Sequence, residues 1–199
     1  LLGGGIKTSR SQKYLKVFLK KVNAPIVSTW SGIDTIDHEH KNYIGCIGVY
    51  GSRAANFAVQ NSDLLLNLGS RLDTRVTGGV PSSFARNSKV ISVDVDKNEL
   101  SKKRGLELHL KINSDLSDFF RVCNKEIKNF KYTNSVWIEK CHKWKKQYPL
   151  VQKEYYSQKK FVNPYVFFNE LSKILNKKSI IIGDTGGHLT WAMQAFKAK

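Results

Sequence analysis

Short apolar segments that end at Gly or Asp alternate with segments of helical periodicity along most of the chain. Residues 63–68 and 89–94 are two such apolar segments. This alternation is typical of a parallel sheet covered by helices on both faces, because each parallel connection crosses over the sheet. The sequence therefore predicts an α/β fold. Ligands of such sheets bind beyond the carboxyl ends of the strands, so the residues that follow each strand are the candidates for function.

The periodicity also predicts individual elements. Strands are expected at 25–29, 63–68, 89–94, 106–112 and 179–182. A first helix is expected to contain Tyr14 to Val22, with Ser9 or Ser11 as its N-cap. A later helix is expected to begin with Asn163 as N-cap and Pro164 as its first residue. Further helices are expected at 54–60, at 115–122, at 135–147 and near Trp191. A polar stretch at 129–134 marks a break after the first unit.

Gly3, Gly4 and Gly5 follow two leucines that have the character of a strand end. A natural chain rarely begins there, so we expect that residues preceding Leu1 have been cut away. Glycines after a strand let a backbone approach a ligand closely and present amide donors to phosphate. A tight turn without a ligand is the alternative.

A loop of alternating charges follows the strand at 63–68 and runs over residues 69–79. Its side chains Arg71 and Arg75 are suited to phosphate or to the edge of a flavin, and Asp73 is suited to fix an arginine or a hydroxyl. We expect an extended loop here. A surface loop held by salt bridges is the alternative.

Asp94, Val95 and Asp96 stand at the end of the next strand. A carboxylate in this place is well suited to accept a hydrogen bond from a ribose hydroxyl. Helix capping is the alternative, and it applies more readily to Asp96 than to Asp94.

A third polar segment, residues 183–188, follows the predicted strand at 179–182. It contains Asp184, Gly186, Gly187 and His188 ahead of a helix start. Such a turn can bind an anion, and His188 could donate to a diphosphate. A local structural role for the histidine is the alternative.

Charge, hydropathy and cysteine content disfavour nucleic-acid-binding, membrane-spanning, disulfide-rich and zinc-binding proteins. Lys and Arg number 33 against 16 Asp and Glu, which gives a formal net charge of +17, but the lysines are dispersed and no nucleic-acid motif accompanies them. No apolar run is long enough to span a bilayer. The three cysteines are scattered, which disfavours a disulfide framework or a zinc site and suits a cytoplasmic protein. We therefore expect neither nucleic acid nor membrane as a partner.

Taken in order, the motifs resemble the large catalytic subunit of acetolactate synthase and its thiamine-diphosphate relatives. The strongest piece runs over 50–59 and continues into 62–66, with an Ala-Asn pair and a Ser-Asp-Leu-Leu-Leu strand. The loop Gly69-x-Arg71-x-Asp73-x-Arg75-Val76-Thr77-Gly78 is similar to the flavin loop of that family, and 94–96 is similar to its Asp-Ile-Asp.

The resemblance implies a division of the chain into three parts. Residues 1–128 would be the central domain, a Rossmann-type fold that binds NAD or FAD in related proteins. Residues 129–160 would be a helical linker, and 161–199 the start of the thiamine-diphosphate domain. The implied cofactors are thiamine diphosphate with Mg²⁺, and FAD as a further possibility. The implied partners are a 2-oxo acid substrate and a second subunit, in a homodimer or tetramer.

Motifs and resemblance together give the following candidate cofactor-binding residues: Gly3, Gly4, Gly5, Thr29, Trp30, Tyr50, Gly51, Gly69, Ser70, Arg71, Asp73, Arg75, Val76, Asp94, Val95, Asp115, Thr185, Gly186, Gly187 and His188. By the same resemblance, the activating glutamate and the metal-binding motif of the family lie outside these residues. We therefore expect no catalytic residue and no metal ligand in this chain, and no activity from the chain alone.

The chain departs from the family pattern at Tyr50, where the family has His, at Ser114, where it has Gly, and at Gly187, where it has Gln. These departures point to a relative with a different substrate, and residues 184–196 resemble thiamine-diphosphate enzymes of surface-polysaccharide biosynthesis, so a lyase or synthase of that kind is one alternative. A non-catalytic nucleotide-binding module, related to the NAD-dependent deacylases that share the fold of the central domain, is another. A basic RNA-binding protein is a third hypothesis.

Overall fold

The computed structural model describes residues 1–199 and contains a parallel sheet at its centre. Its strands are β2 (Ile26–Ser28), β3 (Tyr43–Cys46), β4 (Leu64–Leu68), β5 (Lys89–Asp94) and β6 (Leu110–Asn113). β2 pairs with β3, β4 pairs with β5 and β5 pairs with β6, all in parallel.

The first residues of the chain join the two halves of this sheet. Leu2 forms parallel bridges with both Ser28 and Leu68. The Leu2 amide donates to the Val27 carbonyl at 2.8 Å, and the Gly3 amide donates to the Leu68 carbonyl at 2.9 Å. Residues 1–3 thus act as the central strand, and the order across the sheet is β3, β2, residues 1–3, β4, β5, β6. This is the doubly wound order of dinucleotide-binding folds, with its switch point between residues 1–3 and β4.

Helices cover both faces of the sheet. α2 (Gln12–Lys21) packs against α6 (Leu116–Glu126) on one face, where the Phe18 and Phe120 rings lie 5.5 Å apart. α3 (Arg53–Gln60) packs against α7 (Ser135–Gln147) on the other face. Each face has its own buried apolar cluster. The predicted fold class is therefore confirmed.

Shorter elements complete the first part of the chain. They are α1 (Gly5–Thr8), α4 (Thr74–Thr77), α5 (Lys97–Ser101), the 3₁₀ turns Trp30–Gly32 and Pro81–Ser83, and a small parallel pair of β1 (Val22–Asn23) with β7 (Tyr132–Thr133). The 3₁₀ turn Lys153–Ser157, α8 (Pro164–Ile174) and α9 (Gly187–Ala195) follow α7, and α8 packs against α9. None of the helices combines the length and apolar character that crossing a membrane requires.

Capping residues account for several of the predicted helix starts. Asn163 accepts a hydrogen bond from the Tyr165 amide at 3.0 Å, with Pro164 as the first helical residue. Asp115 accepts from the Ser117 amide at 2.7 Å at the start of α6. These side chains satisfy amides that have no partner inside the helix, which is why the sequence marks the starts well.

Three predictions of local structure need correction, and one strand was missed. Residues 179–182 are not a strand, because no neighbouring strand pairs with them, and Ile180 and Ile182 are 86% and 92% exposed. The strand expected at 106–112 begins only at Leu110. The loop 69–79 is not extended throughout, since Asp73 caps the helical turn α4. β3 was not predicted at all, although all four of its residues are buried.

Candidate functional site

The site begins where two loops cross at the switch point of the sheet. A side chain on Gly3 would place a Cβ atom 2.2 Å from the Gly69 carbonyl oxygen, and one on Gly69 would come within 2.9 Å of the Gly5 Cα atom. Gly69 also has a φ of +67°, which glycine adopts without strain. Glycine at these positions is thus required for close packing of the two loops.

This crossing engages two of the amides that were candidates for phosphate binding. The Gly3 amide donates to Leu68, and the Gly5 amide donates to the Gly69 carbonyl at 3.0 Å. These two amides are therefore not free to hold a phosphate. Gly4 and Gly5 still line the cleft above the crossing, whereas Gly3 is buried and does not line it.

A cleft of about 400 Å³ opens above the strand ends. The predicted residues that line it are Gly4, Gly5, Trp30, Gly69, Ser70, Arg71, Asp73, Val76, Asp94, Val95 and Asp115. The structure thus brings together residues that are far apart in the sequence, because the carboxyl ends of all the parallel strands meet at one edge of the sheet.

Two carboxylates stand on the wall of this first cleft. Asp94 is buried, and its Oδ1 accepts a hydrogen bond from the Asp96 amide at 3.0 Å. Hydrogen bonds from Ser117 hold the pKa of Asp115 below its usual value, so this group is charged near neutral pH. Asp96 accepts a hydrogen bond from the Asn98 amide at 2.8 Å and thereby caps α5. Helix capping was the alternative prediction for this residue.

The loop after β4 is shaped by a residue that sequence reasoning missed. Asn67 is fully buried, and its Nδ2 donates to the Ser70 carbonyl at 2.7 Å and to the Ser92 hydroxyl at 2.8 Å. The Ser70 hydroxyl in turn accepts from the Leu72 amide at 3.3 Å. Asn67 is the one polar residue in the otherwise apolar strand β4, and this feature of the sequence could have identified it as a candidate.

Arg104 supports the same loop from outside the cleft. Its guanidinium donates to the carbonyls of Arg71 and Leu72 and to Glu99 at 2.9 Å. Burial alone would raise the pKa of Glu99, but hydrogen bonds from Lys102 and Arg104 lower it below its usual value. The carboxylate stays charged and fixes Arg104 under the loop.

A second cleft of about 430 Å³ adjoins the first. Trp30 and Val76 line both of them, and the predicted residues Tyr50, Arg75, Thr185, Gly186 and Gly187 line the second only. The Arg75 guanidinium lies 5.0 Å from the centroid of the Trp30 ring. Gly186 has a φ of +156° ahead of α9. Arg75 and the turn at Gly186 and Gly187 therefore face one space.

The turn that carries Tyr50 is held by a second residue that the sequence reasoning did not single out. Asn56 accepts from the Gly48 amide and donates to the Gly48 carbonyl, both at 3.0 Å. The Val49 amide donates to the Arg75 carbonyl at 2.9 Å, which ties this turn to α4. The signal was the Ala-Asn pair that carried the family resemblance.

Three other candidates lie away from these clefts. Thr29 is buried, and its hydroxyl is 3.1 Å from the Ser31 hydroxyl. Gly51 closes a tight turn through a hydrogen bond from its amide to Gly48. His188 lines a third cleft, of about 540 Å³, which also contains Trp30 but not Gly186 or Gly187. Their roles as ligands stay predictions.

Possible metal ligands and reactive thiols would come from the His, Cys, Asp and Glu side chains. The chain holds no group of three or more of these side chains that could bind a metal ion. Burial raises the pKa of the Cys46 and Cys141 thiols to about 12, so both are protonated near neutral pH and poor nucleophiles.

Comparison with known proteins identifies a family and several relatives of this chain. Residues 1–121 match the family described as thiamine pyrophosphate enzyme, central domain. The whole chain is 34% identical to an acetolactate synthase large subunit of Cyanidium caldarium and covers 34% of it. It is 31% identical to the acetolactate synthase large subunit of Lactococcus lactis and covers 33% of it. An acetolactate synthase isozyme 2 large subunit of Escherichia coli is 28% identical over 97% of the chain. The chain thus spans about a third of the length of these relatives.

Proposed function

Because the chain belongs to the thiamine pyrophosphate enzymes through their central domain, we propose that its parent protein is an acetolactate-synthase-like enzyme that acts on a 2-oxo acid. The reaction would remove CO₂ from one 2-oxo acid and form a carbon–carbon bond to a second carbonyl compound. Support comes from the match over residues 1–121 and from relatives named as acetolactate synthase large subunits.

Within that enzyme, the first cleft would be a nucleotide site. The observation that carries this proposal is that Asp94 and Asp115 line the cleft that opens at the switch point of a doubly wound sheet. Carboxylates in this place accept hydrogen bonds from ribose hydroxyls. Arg71 on the same wall supplies a guanidinium for phosphate.

The residues that line the two adjoining clefts support FAD as the ligand. The nucleotide half would lie in the first cleft, and the flavin half would pass Trp30 and Val76 into the second. There Arg75 and Tyr50 offer a charged and an aromatic side chain to a planar ring. The residues present therefore suit FAD, although Tyr50 stands where the family has His.

Thiamine diphosphate would be held only in part by this chain. When bound, it supplies the carbanion stabilisation that decarboxylation of a 2-oxo acid requires. Gly186 and Gly187 offer a turn into which an anionic group can come close, and Thr185 lines the same space. The glutamate that activates the ring and the ligands of Mg²⁺ would come from other parts of the parent and from a second subunit. We infer that the chain alone does not turn over.

A related enzyme of surface-polysaccharide biosynthesis is the second candidate. It is supported by the resemblance of residues 184–196 to such enzymes and by the departures at Tyr50 and Gly187, both of which line the second cleft. A non-catalytic nucleotide-binding module would keep the first cleft but need no thiamine.

The test is to supply the parent protein with pyruvate, thiamine diphosphate and Mg²⁺ and to measure pyruvate consumption and acetolactate. Consumption with acetolactate as product supports the first candidate. Consumption without acetolactate, or consumption of another 2-oxo acid, favours the second. No thiamine-dependent consumption of any 2-oxo acid would refute both and leave the binding module.

A further inference from the structure

A separate cavity of about 280 Å³ lies outside the clefts at the strand ends. Its wall is formed by β3, by the end of α7 with residues 148–151, and by residues 193–197. Two lysines, Lys145 and Lys197, are part of this wall, and no Asp or Glu is. We call this space the lysine cavity.

The ammonium group of Lys145 is only partly satisfied. It donates to the Tyr43 carbonyl at 2.6 Å and lies 5.6 Å from the centroid of the Tyr43 ring. It takes part in none of the salt bridges of the chain. An ammonium group carries three N–H donors, so further donors remain for a ligand.

The surroundings of Lys145 favour an anion. Lys145 is exposed as a residue, but its ammonium group is partly desolvated, which lowers the pKa of Lys145, and the charge of Lys197 lowers it further. Two like charges that share a space without a carboxylate repel each other. A negative group between them would remove that repulsion and stabilise both.

The second lysine is held near the cavity by its neighbour. The His38 amide donates to the Ala198 carbonyl at 2.9 Å, and the His38 ring stacks on the Tyr43 ring with centroids 4.4 Å apart. The backbone beside Lys197 is therefore fixed to the same wall that receives the Lys145 ammonium.

A hydroxyl and an apolar surface complete the wall. The buried Ser52 hydroxyl accepts from the Ala55 amide at 3.2 Å and donates to no group of the protein. Ten of the 18 lining residues are hydrophobic, among them Leu150, Val151 and Met193. The cavity thus offers positive charge and a donor beside a larger apolar surface, as in sites for small organic ligands.

We propose that the lysine cavity binds a small organic carboxylate with an aliphatic body, whose carboxylate pairs with Lys145 and Lys197. The aliphatic part packs against Leu150, Val151 and Met193. A doubly charged phosphate suits the space less well, because the apolar wall would desolvate it without supplying further donors.

The test is calorimetric titration of the chain with 4-methylpentanoate, with 4-methylpentanamide and inorganic phosphate as comparison ligands. We expect saturable binding of the carboxylate and at least tenfold weaker binding of the other two. Lys145→Met should weaken carboxylate binding at least tenfold. Lys146→Met removes the same charge from the next residue of α7, which does not line the cavity, and should leave binding unchanged.

No saturable binding of the carboxylate would overturn the proposal. So would equal losses in the two variants, or phosphate binding as tightly as the carboxylate. If Lys145→Met does not fold, as judged by circular dichroism, Lys197→Met decides, with the same expected loss. The ligand is not a 2-oxo acid and the titration contains no thiamine diphosphate, so the outcome does not depend on the proposed enzyme activity.

Discussion

The Arg75 guanidinium lies 5.0 Å from the centroid of the Trp30 ring, and this pair stands beside the boundary between two clefts. Trp30 follows β2 and Arg75 belongs to α4, so the contact joins opposite sides of the switch point. A ligand that extends from the first cleft into the second has to pass this pair.

The first prediction concerns the strength of that contact. In a double-mutant cycle of Trp30→Leu and Arg75→Met, we expect a coupling energy of about 0.5–1 kcal/mol, the range for exposed cation–π pairs. Urea unfolding of the wild type, the two single variants and the double variant measures it. A coupling energy indistinguishable from zero would show that the two residues do not interact in solution.

The second prediction concerns the glycine crossing. Gly69→Ala should lower the free energy of unfolding by about 2 kcal/mol or more, because it adds left-handed strain to overlap with Gly5 and Leu116. Gly78 has a φ of +85° but open space around it, so Gly78→Ala should cost about 1–3 kcal/mol from strain alone.

Gly79→Ala is the matched control for both variants. Nothing lies within 4 Å of a Cβ atom at Gly79, and the change should alter stability by less than about 0.5 kcal/mol. Chemical unfolding ranks the three variants. A Gly69→Ala variant as stable as Gly79→Ala would contradict the close crossing of the two loops.

The third prediction concerns the turn that carries Tyr50. Asn56→Ala leaves both the amide and the carbonyl of Gly48 without their partners and should destabilise the chain by about 1–3 kcal/mol. Asn61→Ala, which removes one exposed hydrogen bond to Phe57, should cost less than about 0.5 kcal/mol. Equal costs in thermal unfolding would argue against the bridging role of Asn56.

The fourth prediction concerns how the contribution of Asp115 to the free energy of unfolding changes with pH. Hydrogen bonds from Ser117 lower the pKa of Asp115 in the folded chain, so its stabilisation is present above the unfolded pKa of about 3.9 and is lost as pH falls through the lower folded value. Asp115→Ala should therefore cost about 1 kcal/mol near pH 6 and less near pH 3.

Asp115→Asn separates charge from capping at the same position. It keeps an acceptor for the Ser117 amide, so most of the stability at pH 6 should remain while the pH dependence disappears. Unfolding free energies of the three proteins at both pH values provide the comparison. An Asp115→Ala cost that is constant, or that grows towards pH 3, would contradict the prediction.

The strands and helices that depend on local signals were predictable. β5 was predicted with its observed limits, and the caps at Asp115 and Asn163 marked helix starts, because capping is a contact between near neighbours in the sequence. β3 was missed because the strand has only four residues, which are all buried and therefore show no alternation of apolar and polar side chains. Residues 179–182 were predicted as a strand from their composition, but a strand also needs a partner in space.

The site could be predicted as a place but not as a set of contacts. The rule for parallel sheets put Asp94, Gly69 and Arg71 at one edge, and the structure brings them into one cleft. The rule does not say which amides a crossing loop engages, so it could not show that the Gly3 and Gly5 amides donate to Leu68 and Gly69. The supporting roles of Asn67 and Asn56 depend on partners that only the fold brings close.

A titration of the chain with FAD tests the central claim, that the strand ends form a nucleotide site, most directly. We expect saturable binding that becomes about tenfold weaker in Asp94→Asn, since a hydrogen bond to a charged group contributes about 1.5–3 kcal/mol. Asp63→Asn changes an exposed carboxylate just before β4, at the opposite edge of the sheet, and should leave the affinity unchanged. Absence of saturable FAD binding, or equal weakening in the two variants, would contradict the account.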